Sequence, residues 1–244
     1  MTLVSRHSGL TDIGLQRKTN EDTVVVAPPL FAVCDGMGGA QAGEIASGLA
    51  AQTLVAEIEA GRSLLAAAQA ANAAVFERAR GNSDLTGMGT TLTAMRLEAA
   101  VAHFVHIGDS RAYLLRDGVL VQVSEDHSLV GELVRSGRLT AEEAAVHPHR
   151  SILSRALGTE PAVKIDEFSV DLVGGDVVLL CSDGLSGPVS AAAIAGALAV
   201  ADVDMAAERL IAEDRRQGGP DNITALVVRV DDEDAAAPDR ASAS

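Results

Sequence analysis

Apolar residues run unbroken at Leu30–Cys34 ("LFAVC") and at Val177–Cys181 ("VVLLC"), and each run closes on polar or turn-forming residues. Runs of this length read as short buried strands. Val24–Val26 and Leu30–Cys34 form a first pair, joined by a Pro28–Pro29 turn. The pattern then becomes helical and alanine-rich, from about Ala42 to Ala60 and from Ser63 to Arg80, with Gly61 ending the first helix and a "GNSD" loop leaving the second. Strand patterning returns in "GTTLTAMRLE", "AVAHFVHIG" and "RAYLLRDGVLVQV", the last folding back as a hairpin at Asp117-Gly118. A helical insert follows. "HSLVGELVRSG" ends at Gly137, and "LTAEEAAVHPHR" restarts on a capping box, Thr140 with Glu143, and stops near Pro148. "VKIDEFSVDL" and "DVVLLCSD" read as strands, about Val189 to Asp214 as one helical segment, and "NITALVVRV" as the final strand. Strands in hairpin-like runs, with helices in pairs between them, predict an α+β fold with antiparallel sheets.

Composition narrows the class. The 244 residues are 48% hydrophobic but only 2% aromatic, so the core has to be built from many small aliphatic contacts. The formal net charge of -15 argues against nucleic acid and anionic membranes as partners. Clustered carboxylates attract divalent cations instead. Cys34 and Cys181 give neither a disulfide framework nor zinc-ligand spacing, so a reduced, intracellular setting is expected. The N-terminus lacks the apolar stretch of a signal peptide, and no run reaches the ~18 apolar residues of a membrane span. The acidic, small-residued tail 231–244 is expected to be disordered.

Four aspartates occupy one kind of place. Asp35 follows "LFAVC", Asp183 follows "VVLLCS", Asp109 follows "FVHIG", and Asp221 precedes "NITALVVRV". Each sits at a strand end with glycine close by. Gathered at one rim, they would repel one another unless a positive charge lay between them. Hard oxygen donors without a His or Cys cluster select Mg²⁺ or Mn²⁺, and the Gly36 carbonyl is a further candidate ligand. An Asp-Gly pair alone is more often a turn, as at Asp117-Gly118. Asp35 differs because a helix follows it. The glycines after Asp35 do not form a phosphate loop, since Gln41 and Glu44 stand where glycine and lysine would be needed. In "LQRKTNEDT", Arg17 can grip a phosphate through two parallel hydrogen bonds, and Glu21 and Asp22 can add metal or metal-water contacts.

In this order, "TDIGLQRKTNED", "VCDGMGG", "GMGTTLTA", "HIGDSRAYLLRDG", "HPHRSILSRALG", "LLCSDGLS" and "GGPDNIT" resemble the metal-dependent protein phosphatase 2C family, in its bacterial serine/threonine branch. The resemblance covers about residues 8 to 230. It implies a four-layer αββα sandwich, two central antiparallel sheets flanked by helix pairs. The catalytic domain would span 1–230, with a flap at about 131–151. The implied activity is hydrolysis of phosphoserine and phosphothreonine in proteins, by a water activated between two Mn²⁺ or Mg²⁺ ions. By matching position, Asp35 would bridge the metals, Gly36 would bind the first, and Asp183 and Asp221 would hold the second. Glu21 would act through metal-bound water with Asp22 beside it, Asp109 would support a weaker third ion, and Arg17 would hold the substrate phosphate.

Two positions depart from the family pattern. Met37 stands where eukaryotic members carry a His proposed as general acid, and His127 is a candidate substitute. Gly187 stands where many members carry an Asp of the third metal site. The implied partners are phosphorylated proteins, serine/threonine kinases and their substrates among them, for a monomeric cytoplasmic enzyme. A non-catalytic phosphoprotein-binding regulator and a small-molecule phosphomonoesterase are the alternatives.

Overall fold

The structure is a computed structural model describing residues 3–38 and 41–233. In chain order it contains β1 (Leu3–Asp12), β2 (Asp22–Ala27), β3 (Leu30–Met37), α1 (Ala42–Glu59), α2 (Leu64–Arg80), β4 (Gly89–Thr90), β5 (Leu92–Glu98), β6 (Val101–Ile107), β7 (Arg111–Arg116), β8 (Val119–Gln122), α3 (Leu129–Arg135), α4 (Ala141–Ala145), β9 (Asp166–Asp171), β10 (Val177–Cys181), α5 (Asp183–Ser186), α6 (Ala191–Leu198), α7 (Val203–Arg216) and β11 (Ile223–Asp232). The fold is α+β. One sheet has the order β1-β11-β10-β7-β8, the other β2-β3-β5-β6-β9, with β4 paired to the end of β3. Neighbouring strands in both sheets are antiparallel.

The unbroken apolar runs follow from burial on both faces. On β3, Leu30, Ala32 and Cys34 pack in one cluster with Ala46, Ala50 and Leu54 of α1 and Ala67, Ala71 and Val75 of α2. The alternate residues Phe31 and Val33 pack with Val178 and Leu180 of β10 and Leu226 and Val228 of β11. On β10, Val177, Leu179 and Cys181 turn the other way, toward Leu185, Ile194, Leu198 and Leu210 of the later helices. The period of two thus sorts each run between two cores.

Local chemistry sets several boundaries. Thr140 accepts from the Glu143 N–H and the Glu143 side chain accepts from the Thr140 N–H, the expected capping box. Asp117 and Gly118 have φ of 51° and 78°, the left-handed pair a two-residue hairpin needs. The expected single helix over Val189–Asp214 is instead two helices. Asp202 accepts from the Met205 N–H at 2.9 Å and so starts α7 anew. β1 was not expected at all. Its polar residues hide the alternation, yet all ten pair in register with β11 at the sheet edge. β11 also runs on through Asp231 and Asp232, opposite Val4 and Leu3. The expected disordered tail otherwise lies, from 234 on, outside the described residues.

Candidate active site

Asp35 is not at the tip of its strand. β3 continues through Gly36 and Met37, which pair with Thr90 and Gly89 of β4. Its backbone is held firmly: the Asp35 N–H donates to Thr91 Oγ1 at 2.9 Å, and Asp35 O accepts from Thr90 Oγ1 at 2.9 Å and from the Thr91 N–H at 2.8 Å. Asp22 lies opposite Asp35 across the β2–β3 ladder. Asp109 follows β6 and Gly108, Asp183 opens α5 directly after β10, and Asp221 leads into β11. Both sheets therefore deliver carboxylates to one rim.

Two glycines let the backbone close in around this rim. A Cβ on Gly36 would stand 2.1 Å from the Gly43 carbonyl oxygen, and one on Gly43 would stand 2.3 Å from Glu21 Oε2. Only glycine admits the α1 N-terminus this close to β3 and to the Glu21 carboxylate. The Gly36 N–H donates to Glu21 O at 3.0 Å, which fixes Glu21 alongside Gly36.

The carboxylates perturb one another. Burial holds the Asp35 carboxyl well above the usual range, and the charges of Asp22, Asp183 and Asp109 push it further. Asp109 is raised by burial and then by Asp183, and Asp183 by burial and then by Asp221. The contact between Asp35 and Asp183 raises Asp35 further and lowers Asp183. Burial also raises Glu21. Mutual repulsion among hard oxygen donors is the chemistry a divalent cation relieves, so the donor set fits Mg²⁺ or Mn²⁺. Among the described residues, no three His, Cys, Asp or Glu side chains already stand as a metal-holding group.

Other expected residues take distinct positions. Arg17 is exposed and its Nη2 donates to Asp221 Oδ2 at 2.6 Å, so the expected phosphate-binding cation rests on an expected metal ligand. That hydrogen bond raises the Arg17 pKa still further. Asp22 is buried, and its Oδ2 accepts from Ser182 Oγ at 2.8 Å and from Thr224 Oγ1 at 2.7 Å. It joins β2 to the ends of β10 and β11, and burial, only partly offset by these hydroxyls, lifts it to about 6. His127 is fully buried, with Nε2 3.0 Å from Asp166 Oδ2 and Nδ1 accepting from the Gly108 N–H at 3.2 Å. Both ring nitrogens are engaged, which gives it a structural place rather than a free proton to deliver. Met37 packs its methyl over Gly89. A Cβ at Gly187 would stand 2.9 Å from the Asp183 carbonyl oxygen. Burial pushes Cys34 and Cys181 up to about 12, so neither is a nucleophile near neutral pH.

Sequence reading assigned no role to Asn222. Its side chain bonds to three backbone groups of residues 13–21. The "GGPDNIT" motif marked the place, but not those partners, which lie some 200 residues away.

A rim of carboxylates delivered by two antiparallel sheets, with an arginine beside it, is the layout of a cation-assisted phosphate site. The family model for protein phosphatase 2C matches residues 19–214, and the chain belongs to that family. It is 46% identical over 243 residues to the serine/threonine protein phosphatase PstP of Mycobacterium tuberculosis, a match covering 96% of this chain and 46% of that protein. The chain thus spans about half the length of that curated relative. The serine/threonine phosphatase stp of Listeria monocytogenes is 39% identical over 237 residues, covering 91% of this chain and 94% of the relative. Among solved structures, the catalytic domain of PstP in complex with two manganese ions superposes with a TM-score of 0.87 at 43% identity, covering 95% of this chain and all of that one.

Proposed function

We propose that this chain is a bacterial metal-dependent protein-serine/threonine phosphatase. The observation that carries the reading is the crowding of Asp35, Asp109 and Asp183 into one charge-coupled group with Asp221 beside it, in a chain of this family. Asp35, the Gly36 carbonyl, Asp183 and Asp221 would hold two Mn²⁺ or Mg²⁺ ions, with Glu21 close by and Asp109 serving a weaker third. When bound, such ions supply Lewis-acid activation of water and offset charge on phosphate oxygens. Asp22 supports the site by tying β2 to β10 and β11. Arg17, able to swing away from Asp221, would clamp two oxygens of the substrate phosphate. With both thiols buried and protonated, no covalent phosphocysteine is needed.

The three core clusters support the four-layer αββα arrangement. Residues 131–151, carrying most of α3 and all of α4, would act as a flap that selects among phosphoproteins, within a catalytic domain spanning 1–230. The proposed substrates are phosphorylated kinases and their targets, and the proposed state is a cytoplasmic monomer. The two cysteines are free, which fits a reducing compartment. No helix among the described residues is long and apolar enough to cross a membrane.

The test is phosphate release from a phosphothreonine peptide, with Mn²⁺, with Mg²⁺ and with chelator, beside a sugar phosphate. Metal-dependent turnover favouring the peptide is expected. Turnover of the sugar phosphate alone would make it a small-molecule phosphomonoesterase, and none in folded, metal-loaded protein would favour a phosphoprotein-binding regulator. With Gly187 leaving the third site one carboxylate short, Asp109→Ala should cost about tenfold, far less than Asp35→Ala. Metal titration of both variants checks this, and equal losses would remove Asp109's lesser rank.

A further inference from the structure

We infer that Asn222 is a positioning residue that fixes the Arg17 loop relative to the carboxylate rim, an inference that rests on the phosphatase reading above. Its side-chain amide is fully used. Oδ1 accepts from the Glu21 N–H at 2.8 Å, and Nδ2 donates to Ile13 O at 3.0 Å and to Thr19 O at 2.9 Å. The side chain is buried, so solvent competes little for these bonds. The backbone partners fix the amide orientation, because an N–H must face the oxygen and two carbonyls must face the NH₂.

These three contacts bracket Arg17. Ile13 precedes it, Thr19 and Glu21 follow it, and all hang from one residue adjacent to Asp221. Secondary contacts run the same way: the Leu15 N–H donates to Gly219 O at 2.8 Å, and Gln16 Nε2 donates to Gly218 O at 3.4 Å. Gly14 seals the junction, since a Cβ there would stand 2.0 Å from the Asp221 carbonyl oxygen. The loop that carries an exposed, long-stemmed arginine is thus built as one body with the segment that carries Asp221. A phosphate gripped by Arg17 is thereby placed at a set distance from the rim. A misplacement of 1 Å costs on the order of a hundredfold in rate.

Aspartate cannot replace this amide. It keeps the acceptor for Glu21 but sets a carboxylate against two carbonyl oxygens. Asn222→Ala and Asn222→Asp should therefore each lower kcat/KM for a phosphothreonine peptide by ~10–100-fold. Inhibition by inorganic phosphate should weaken in parallel, while Mn²⁺ affinity by calorimetry stays within about threefold, since the metal-facing carboxylates are retained. In an Arg17→Ala background the Asn222 substitutions should add less than about threefold, because the residue acts through Arg17. Independently of turnover, the Glu21 amide of the parent protein should be protected from hydrogen exchange as strongly as amides of β11, and Asn222→Ala should expose it selectively. Fast exchange at Glu21 in the parent would overturn the tether even if neither variant folds. A loss of Mn²⁺ affinity equal to the loss of activity, or full additivity with Arg17→Ala, would overturn action through Arg17. If the parent releases no phosphate, the phosphatase reading fails, while the exchange result still decides the tether.

Discussion

Asp183→Asn lowers metal-dependent turnover of a phosphothreonine peptide by ~10³-fold or more, while the chelated variant is no less stable than its parent. The first half follows from the proposed role: an amide cannot supply the charge that holds a divalent cation against desolvation. The second half follows from crowding. Asp183 is raised by burial and then by the charge of Asp221, and its contact with Asp35 offsets only part of this. Removing one carboxylate from a group of like charges relieves repulsion rather than breaking an ion pair. A residue of purely architectural importance would behave oppositely, losing stability along with activity. Thermal melts supply the decisive contrast. At 100 times its dissociation constant, Mn²⁺ should stabilise the parent by about 2.7 kcal/mol, and this gain should shrink in Asp183→Asn. A variant that keeps both turnover and the Mn²⁺-induced shift in Tm would sink the assignment of Asp183 as a ligand.

The legible parts of the fold were those whose burial leaves a mark in one stretch of chain. "LFAVC" and "VVLLC" are apolar throughout because each strand is covered on both sides, and they were readable as buried strands. β1 was not, because a polar edge strand takes its stability from its ladder with β11 rather than from its own pattern. The break between α6 and α7 was hidden by alanines, which suit a helix wherever it starts, so only the Asp202 cap marks it.

The site divides along the same line. Asp35, Asp109, Asp183 and Asp221 could be found because a carboxylate at either end of an apolar run is conspicuous in sequence. Asp22 was visible too, yet its binding of Ser182 and Thr224 was not, since that depends on β2 meeting β10 and β11. The pairing of Arg17 with Asp221 and the three-way tether of Asn222 are likewise products of chain closure. Residue type tells what a side chain offers, and topology alone tells which partner takes it.

Asp214 lies outside the motifs, and replacing it should stabilise the protein. It is fully buried in α7, and among the described residues neither carboxylate oxygen has a hydrogen-bond partner. The adjacent cation is committed elsewhere: Arg215 donates to both oxygens of Asp12, at 2.9 and 2.7 Å. Burial, with the charges of Asp12 and Asp221, pushes Asp214 up to about 6. Its unfolded-state pKa is about 3.9. A carboxyl raised on folding imposes no penalty below its unfolded pKa, and stability is lost as pH rises from about 4 through 6. Two pH units correspond to roughly 3 kcal/mol at pH 8. Asp214→Asn keeps the shape and removes the charge, while any cost of an unpaired amide is independent of pH. Melts in chelator from pH 4.5 to 8 should therefore show Tm of the variant pulling ahead as pH rises, by roughly 5–10 °C at the upper end for a domain of this size. A gap that stays constant across that range would mean that Asp214 is compensated in solution by a partner or water, and its burial would then carry no charge penalty.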